Sequence, residues 1–131
     1  MSIRIVRLGS SRRNDEGVRI GTVRRPPRGV PKSDYARRDF YDVWLPNLAP
    51  SEALLKRWRG ATAEREWKQF ARAYRKEMSA PETARVLDTL AVLSHNASFS
   101  VGCYCLDESR CHRAILRKLL EQRGAVMHPA D

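Results

Sequence analysis

The segment from residue 97 to residue 124 constrains the fold most, because its hydrophobic period changes once, from two to 3.6. In ASFSVGCYC (97–105), Phe99, Val101, Cys103 and Cys105 alternate with small or polar residues, which predicts a strand. In HRAILRKLLEQRG (112–124), apolar residues recur at helical spacing and Gly124 follows as a stop signal, which predicts a helix. A strand that leads into a helix favours a sheet with helices packed on it.

The rest of the chain repeats both kinds of segment. Alternating or aromatic-rich runs predict three more strands, at 2–8, 17–25 and 39–45, and a last short strand at 125–128. Helices are predicted to start at Ser51, after Thr62 and near Pro81. Residues 9–17 and 26–38 are predicted loops. We therefore expect a single α/β domain over 1–131, with a small, mostly parallel sheet and helical cover; the pattern leaves the strand order open.

The second helix carries an aromatic stripe. Its apolar residues Trp67, Phe70, Ala71, Tyr74 and Met78 follow helical spacing. Such a stripe is typical of a core-facing helix side, so we predict packing for it rather than cofactor binding.

Positive charge is concentrated near the N-terminus. The chain has a net charge of +10, of which residues 1–38 contribute +8. An arginine-rich third of this kind can attract nucleic acid or an anionic small molecule, or it can simply be a solvated surface. No apolar run approaches the roughly 20 residues of a membrane span. We expect no membrane partner and a cytoplasmic protein with its three cysteines reduced.

All three cysteines lie in CYCLDESRCHR (103–113), where the predicted strand meets the predicted helix. In open α/β sheets ligands bind at the carboxyl ends of strands, and the start of a helix favours anions. Arg110 and Arg113 add charge and hydrogen-bond donors. The motif therefore predicts an anion site, with an anionic small molecule as the partner.

Two known chemistries fit the spacing poorly. A tyrosine-phosphatase loop needs five residues between cysteine and arginine, and only four separate Cys105 from Arg110. A metal site would use Cys103, Cys105, Cys111 and His112, but the chain has no Cys-x-x-Cys pair. Adjacent residues also leave a helix roughly 100° apart, which hampers joint ligation by Cys111 and His112. We predict neither a metal nor another cofactor.

Cys111 and His112 are the candidate catalytic residues. A thiol at a helix start, flanked by arginines and a histidine, has a lowered pKa and is reactive. The alternative for Cys111 is an inert first-turn residue. His112 shares a helix side with Ile115, Leu116 and Leu119, so it is predicted to face the sheet, either as a packed residue bonded to a carbonyl or as a general base.

Four segments of the chain form a recognisable set when they are taken in order. The first is Pro27-Arg28-Gly29, and the second is Leu48-Ala49-Pro50-Ser51 with Leu54 and Trp58. The third is Trp67, Phe70, Tyr74 and Glu77. The fourth combines Cys105 and Glu108 with Cys111-His112-Arg113. Together they resemble the bacterial domain of unknown function family 488 (DUF488), in its YeaO-like branch, which usually has Trp at the position of Pro26; the resemblance spans about residues 18–122.

The resemblance implies a compact α/β domain and no particular reaction. It suggests that Arg28 and Gly29 meet Arg110 and Arg113 in one anion-binding pocket, with Cys105 and Glu108 as supporting residues. The branch usually has an acid before its Trp-Pro-Arg-Gly element, whereas this chain has Arg24-Arg25, so its pocket is expected to be more positive.

Three functions stay open at this point. The first is an anion- or nucleotide-binding domain, possibly an enzyme, with its site at 105–113. The second is a nucleic-acid-binding module that uses the basic N-terminal third. The third is an interaction domain without a catalytic site.

Overall fold

The computed structural model describes residues 1–129, apart from the side chain of Glu108. Four strands and four α-helices follow one another along the chain. The strands are β1 (Ile3–Arg7), β2 (Val18–Gly21), β3 (Val43–Trp44) and β4 (Phe99–Cys103). The helices are α1 (Glu52–Arg57), α2 (Glu64–Met78), α3 (Pro81–Leu93) and α4 (His112–Gln122).

The strands form one sheet in the order β1-β4-β2-β3, and each pairing is parallel. Strand β4 lies between β1 and β2, with Phe99 opposite both Ile3 and Val18. All five of its residues are buried. The predicted α/β class with a parallel sheet is confirmed, and the strand order is what the sequence pattern left open.

Two predicted strands are shorter than expected. The third covers only Val43–Trp44, because Asp39 adopts a left-handed φ of 62° and turns the chain before it. The last reduces to one parallel bridge between Met127 and Ile3. In both places side-chain alternation indicated extended backbone. The turn at Asp39 and the single bridge at Met127 leave few residues of these segments paired with a neighbouring strand.

Helix starts follow local capping chemistry. The Ser51 hydroxyl accepts a hydrogen bond from the Leu54 N–H at 3.1 Å, which confirms the predicted cap of α1. Thr62 does not cap α2; the first residue outside that helix is Ala63, whose N–H donates to Glu66 at 3.2 Å. A carboxylate in the first turn thus caps this helix, where a threonine hydroxyl was expected to do so.

The two faces of the sheet are covered differently. All four helices pack on the face that presents Ile3, Ile20 and Val101, and together they form the main core. The other face carries loop residues that lie close to glycine backbone. A Cβ on Gly21 would come within 2.4 Å of the Tyr41 ring, and one on Gly102 within 2.7 Å of Leu8. Helical cover is therefore confirmed for one face, and loops cover the other.

A buried ion pair holds these loops to the sheet. The Arg19 guanidinium donates to both Glu16 oxygens, at 2.7 and 2.9 Å, and to the carbonyls of Ser10 and Asp39. Ser100 of β4 donates to the same carboxylate at 2.7 Å. Both charged side chains are almost fully buried. One polar network therefore holds strand β4, the 9–17 loop and the 39–42 turn together.

In the part of the chain that the structure describes, no helix is long and apolar enough to cross a membrane. The absence of a membrane partner and the cytoplasmic location both stay predictions.

We expect Glu16→Gln to lower the free energy of unfolding by about 3–5 kcal/mol, because it leaves the Arg19 cation buried without its counter-charge. Urea denaturation measures the change. The control is Asp15→Asn, which removes an exposed partner of Arg4 and should leave the free energy unchanged. An equal effect of the two substitutions would contradict a special role for the buried pair.

The same pair should make stability depend on acid pH. Burial alone would raise the pKa of Glu16, but hydrogen bonds from Arg19 and Ser100 outweigh burial and hold the pKa below its usual 4.5. Stability from a depressed pKa is present above the unfolded value and is lost as the pH falls through the folded one. Unfolding free energies measured below pH 4.5 should therefore decline more steeply for the wild type than for Glu16→Gln.

Candidate functional site

A pocket of about 680 Å³ opens at the carboxyl edge of the sheet, where β2 and β4 end. We call it the site pocket. Its floor is formed by Cys103, Cys105, Cys111 and His112. Aromatic residues of α1 and α2 form one wall, and arginines lie around it. The predicted position of the site, at the strand-to-helix junction, is thus a real cavity of the size that small molecules occupy.

The three cysteines, which we call the thiol cluster, meet although they come from different parts of the junction. Cys103 ends β4, and its Sγ lies 3.6 Å from the Sγ of Cys105. Cys111 lies just before α4 and is buried, as is Cys103, whereas Cys105 is exposed. Cys103 packs in a core cluster and also belongs to the floor of the pocket.

The His112 ring is hydrogen-bonded to the backbone just after strand β2. Its Nε2 lies 2.8 Å from the carbonyl oxygen of Thr22, and a carbonyl can only accept, so Nε2 carries the proton. The lone pair of Nδ1 therefore lies towards the Cys111 Sγ, 3.7 Å away. The ring also contacts Tyr74 edge-on at 5.4 Å. This confirms the prediction of a packed histidine bonded to a carbonyl, and it leaves one nitrogen free to act.

Hydrogen bonds inside the thiol cluster shift the pKa values of its three thiols in different directions. The Cys103 thiol, then Cys111, donate to Cys105, and with the charge of Arg113 they lower the pKa of Cys105 to about 3. The contact with Cys105 raises the pKa of Cys103, which keeps its proton. A hydrogen bond from Cys103 also lowers the pKa of Cys111. The cluster has thiolate character, the form required of both a nucleophile and a metal ligand.

The backbone before α4 removes one objection to a metal site. Cys111 has φ −126° and ψ 153°, which is extended, and the helix starts at His112. The expectation that Cys111 and His112 both lie in a helix is wrong, because Cys111 is extended and a separate 3₁₀ turn covers Glu108–Arg110. Cys111 and His112 are thus not two residues of one helix. The donor atoms of Cys103, Cys111 and His112 lie within 4.8 Å of one another.

The predicted anion-binding residues separate into two groups. Arg28 and Arg110 both line the site pocket, although they follow different strands. Arg113 is buried and donates to the Cys105 carbonyl at 2.6 Å, so it supports the floor instead of lining the pocket. Gly29 adopts a φ of 74° and does not line the pocket either. It shapes the turn that carries Arg28.

Arg110 is engaged by its neighbours. Its guanidinium pairs with Glu64 and lies over the Trp67 ring, 5.8 Å from the centroid. Asp107 accepts hydrogen bonds from the backbone and hydroxyl of Ser109, at 3.0 and 2.6 Å, so it caps the 3₁₀ turn and not α4. The side chain of Glu108, predicted to support the site, lies outside the described part of the chain.

Arg24 and Arg25, which were expected to make the pocket more positive, both have hydrogen-bond partners, but only Arg25 has an acidic one. Arg24 donates to the carbonyls of Pro46, Ala49 and Pro50, at 3.0–3.1 Å. Arg25 forms a bidentate pair with Glu52. This chain has no acid before Pro26. Backbone carbonyls accept from Arg24 instead, and Glu52 of α1 pairs with Arg25.

Sequence reasoning missed the wall of the pocket. Trp58, Trp67 and Phe70 line it, and they also pack against the main core. Helical spacing identified the packing role and could not reveal the second one, since only the end of the stripe nearest the sheet edge faces the cavity. Trp67 and Phe70 are half-buried, whereas Tyr74 and Met78 further along α2 are buried.

We expect Arg24→Ala to lower the free energy of unfolding by about 1.5–3 kcal/mol, because it removes a charged donor from three carbonyls. The matched substitution is Arg25→Ala, which removes an exposed ion pair and should leave stability unchanged. Guanidinium denaturation of both variants measures the difference. Similar stability of the two would show that Arg24 does not hold the 46–50 segment.

Comparison with known proteins bears on the family. The family model described as the active DUF488-N3 subclade, DUF488-N3a, matches residues 3–124. No curated protein and no solved structure matches the chain. The resemblance drawn from the sequence is confirmed at family level, while membership of the YeaO-like branch stays a prediction. The chain belongs to the DUF488 family.

Proposed function

We propose that the site pocket binds an anionic ligand that carries an aromatic ring, of the nucleotide class. The observation that carries the proposal is the composition of the pocket, in which an aromatic wall faces a thiol–imidazole floor and arginines stand at the rim. A mainly apolar cavity with a few convergent polar groups is the usual form of a small-molecule site.

The aromatic wall supports a flat ring. Trp67 and Phe70 are nearly parallel, with centroids 5.6 Å apart and an interplanar angle of 19°. The Nε1–H of Trp58 is buried and finds no hydrogen-bond partner within residues 1–129. A buried donor without a partner costs free energy, which an acceptor would recover only where binding shifts the side chains that cover this nitrogen. A nucleobase offers both a planar face and ring acceptors.

The rim supports a negative group. Among the described residues, neither Arg28 nor Arg59 has a hydrogen bond or ion pair, and both line the pocket. Arg110 is paired with Glu64 and contributes less free charge. Free guanidinium groups beside an apolar cavity suit a phosphate, which accepts bidentate hydrogen bonds from arginine.

The reacting centre, if the ligand is a substrate, is the floor. The description of the matched family model calls its subclade active and names no reaction. Cys111 and His112 keep their predicted catalytic role within this proposal, since they line the pocket and lie 3.7 Å apart. Cys105 is the exposed thiol of the same floor.

The basic N-terminal third has other occupations. Arg12 pairs with Asp39 and Asp42, Arg19 with Glu16, and Arg37 with Asp34. These contacts reduce the charge available for phosphate contacts along a nucleic-acid backbone. Nucleic-acid binding stays a prediction, and no contact of the described residues favours it over the pocket.

Binding of nucleoside monophosphates should quench tryptophan fluorescence and should be tighter than binding of the nucleoside or of inorganic phosphate alone. We expect Trp67→Leu to weaken binding about tenfold or more, as loss of a stacking surface does. Arg28→Ala combined with Arg59→Ala should weaken the monophosphate and leave the nucleoside unaffected. Isothermal titration calorimetry measures both.

Trp44→Phe is the matched control. Trp44 lies outside the site pocket and donates to the Val23 carbonyl at 2.7 Å, so its loss should not change nucleotide affinity. Equal nucleotide affinities of the Trp67→Leu and Trp44→Phe variants would contradict the proposal. Failure of the wild type to bind any nucleoside monophosphate would contradict it too.

A further inference from the structure

We propose that Cys103, Cys105, Cys111 and His112 bind a zinc ion at the floor of the site pocket. This inference depends on the geometry of the floor and not on the proposed ligand. The donor atoms of Cys103, Cys111 and His112 lie within 4.8 Å of one another. The exposed Cys105 is not part of that group; its Sγ lies 3.6 Å from that of Cys103, and it would complete the site by turning towards the other donors. Three thiolates and one imidazole form a donor set that selects zinc over harder cations.

Two of the donor–donor distances match those of a tetrahedral centre. Zinc–sulfur bonds of about 2.3 Å place two ligand sulfurs about 3.8 Å apart, and a sulfur and a nitrogen about 3.6 Å apart. The Cys103 and Cys105 Sγ atoms are 3.6 Å apart, and the Cys111 Sγ lies 3.7 Å from the His112 Nδ1. Both pairs therefore have the separation of two corners of one coordination tetrahedron.

The orientation of His112 matches that of a metal-bound histidine. Zinc-bound histidines donate their second ring N–H to a carbonyl or carboxylate, which fixes the tautomer. Here the Thr22 carbonyl accepts from Nε2 at 2.8 Å, and the free Nδ1 is the atom nearest the thiols. The imidazole is thus held in the required tautomer by backbone, before any ion binds.

Arg113 supplies the charge balance. Zinc with three thiolates and a neutral histidine carries a net charge of about −1. The Arg113 side chain is buried, and its Nη2 donates to the Cys105 carbonyl at 2.6 Å, next to the floor. A buried cation beside an anionic centre avoids an uncompensated charge. It also gives a reason for burying an arginine that was predicted to bind a ligand.

Zinc binding would change the chemistry available at the floor. With zinc bound, Cys111 and His112 would be ligands of the ion, so the catalytic role proposed for them above would belong to the metal-free protein only. Strand β4, the turn after it and the start of α4 would be joined by one ion, although the connection between them contains a six-residue turn region, 105–110. Cys105 is the exposed ligand of the four, and like the others it lines the pocket.

The test uses the full chain, reduced and freed of metal with a chelator, then titrated with zinc or cobalt. We expect one zinc per chain by elemental analysis, and cobalt spectra with thiolate charge-transfer bands and tetrahedral ligand-field bands. Cys111→Ser and His112→Gln should lose more affinity than the roughly 10–100-fold that outer-shell changes cost. The control is His95→Gln, since the exposed His95 bonds the Gly124 carbonyl and should not matter.

Cys105→Ser keeps the test valid if a buried variant does not fold, because Cys105 is exposed. This variant should still bind cobalt, with thiolate charge-transfer intensity lower by about a third, as two of three thiolates remain. Zinc well below one equivalent in the wild type, or unchanged affinity in Cys111→Ser and His112→Gln, overturns the site. Nucleotide titration of the metal-free protein tests the proposed function separately, so failure of one proposal is told apart from failure of the other.

Discussion

The parallel pairing of β4 with both β1 and β2 is the constraint on which the rest of the structure depends. Parallel strands end at the same edge, so the ends of β2 and β4 are brought together with the segments that follow them. This places the Thr22 carbonyl beside His112 and the Arg28 loop beside the 105–110 turn. The strand order thus positions the floor of the site pocket, although Cys103 is the strand residue that belongs to that floor.

The two faces of the sheet divide the tasks of the molecule. The helical face provides the apolar core, and α2 extends that core into the wall of the pocket. The loop face is held by a polar network centred on Arg19, whose guanidinium reaches a carboxylate and two backbone carbonyls. A buried network of this kind specifies one arrangement of the loops, because any displacement leaves a charge without its partner. The carboxyl edge is therefore built on a rigid support.

Arginine has several roles in this chain, and its count says little about its function. Arg19 and Arg113 are buried, Arg24 binds backbone carbonyls, and Arg25 pairs with a helix glutamate. Arg28 and Arg59 at the pocket rim have no such partner among the described residues. Net charge alone does not identify a partner, and the anionic partner stays a prediction. Which arginines remain available depends on which carboxylates and carbonyls the fold brings near them.

The sequence by itself determined the α/β class, the cap at Ser51 and the strand-to-helix junction beside which the pocket lies. These are local properties, since hydrophobic period and capping involve residues within a few positions of each other. Only the tertiary structure decided that Cys103 joins the other thiols, that Cys111 precedes the helix, and that Trp67 faces a cavity as well as the core. The His112 tautomer depends on a carbonyl 90 residues away. Contacts between distant segments are set by strand order, and no local period encodes that order.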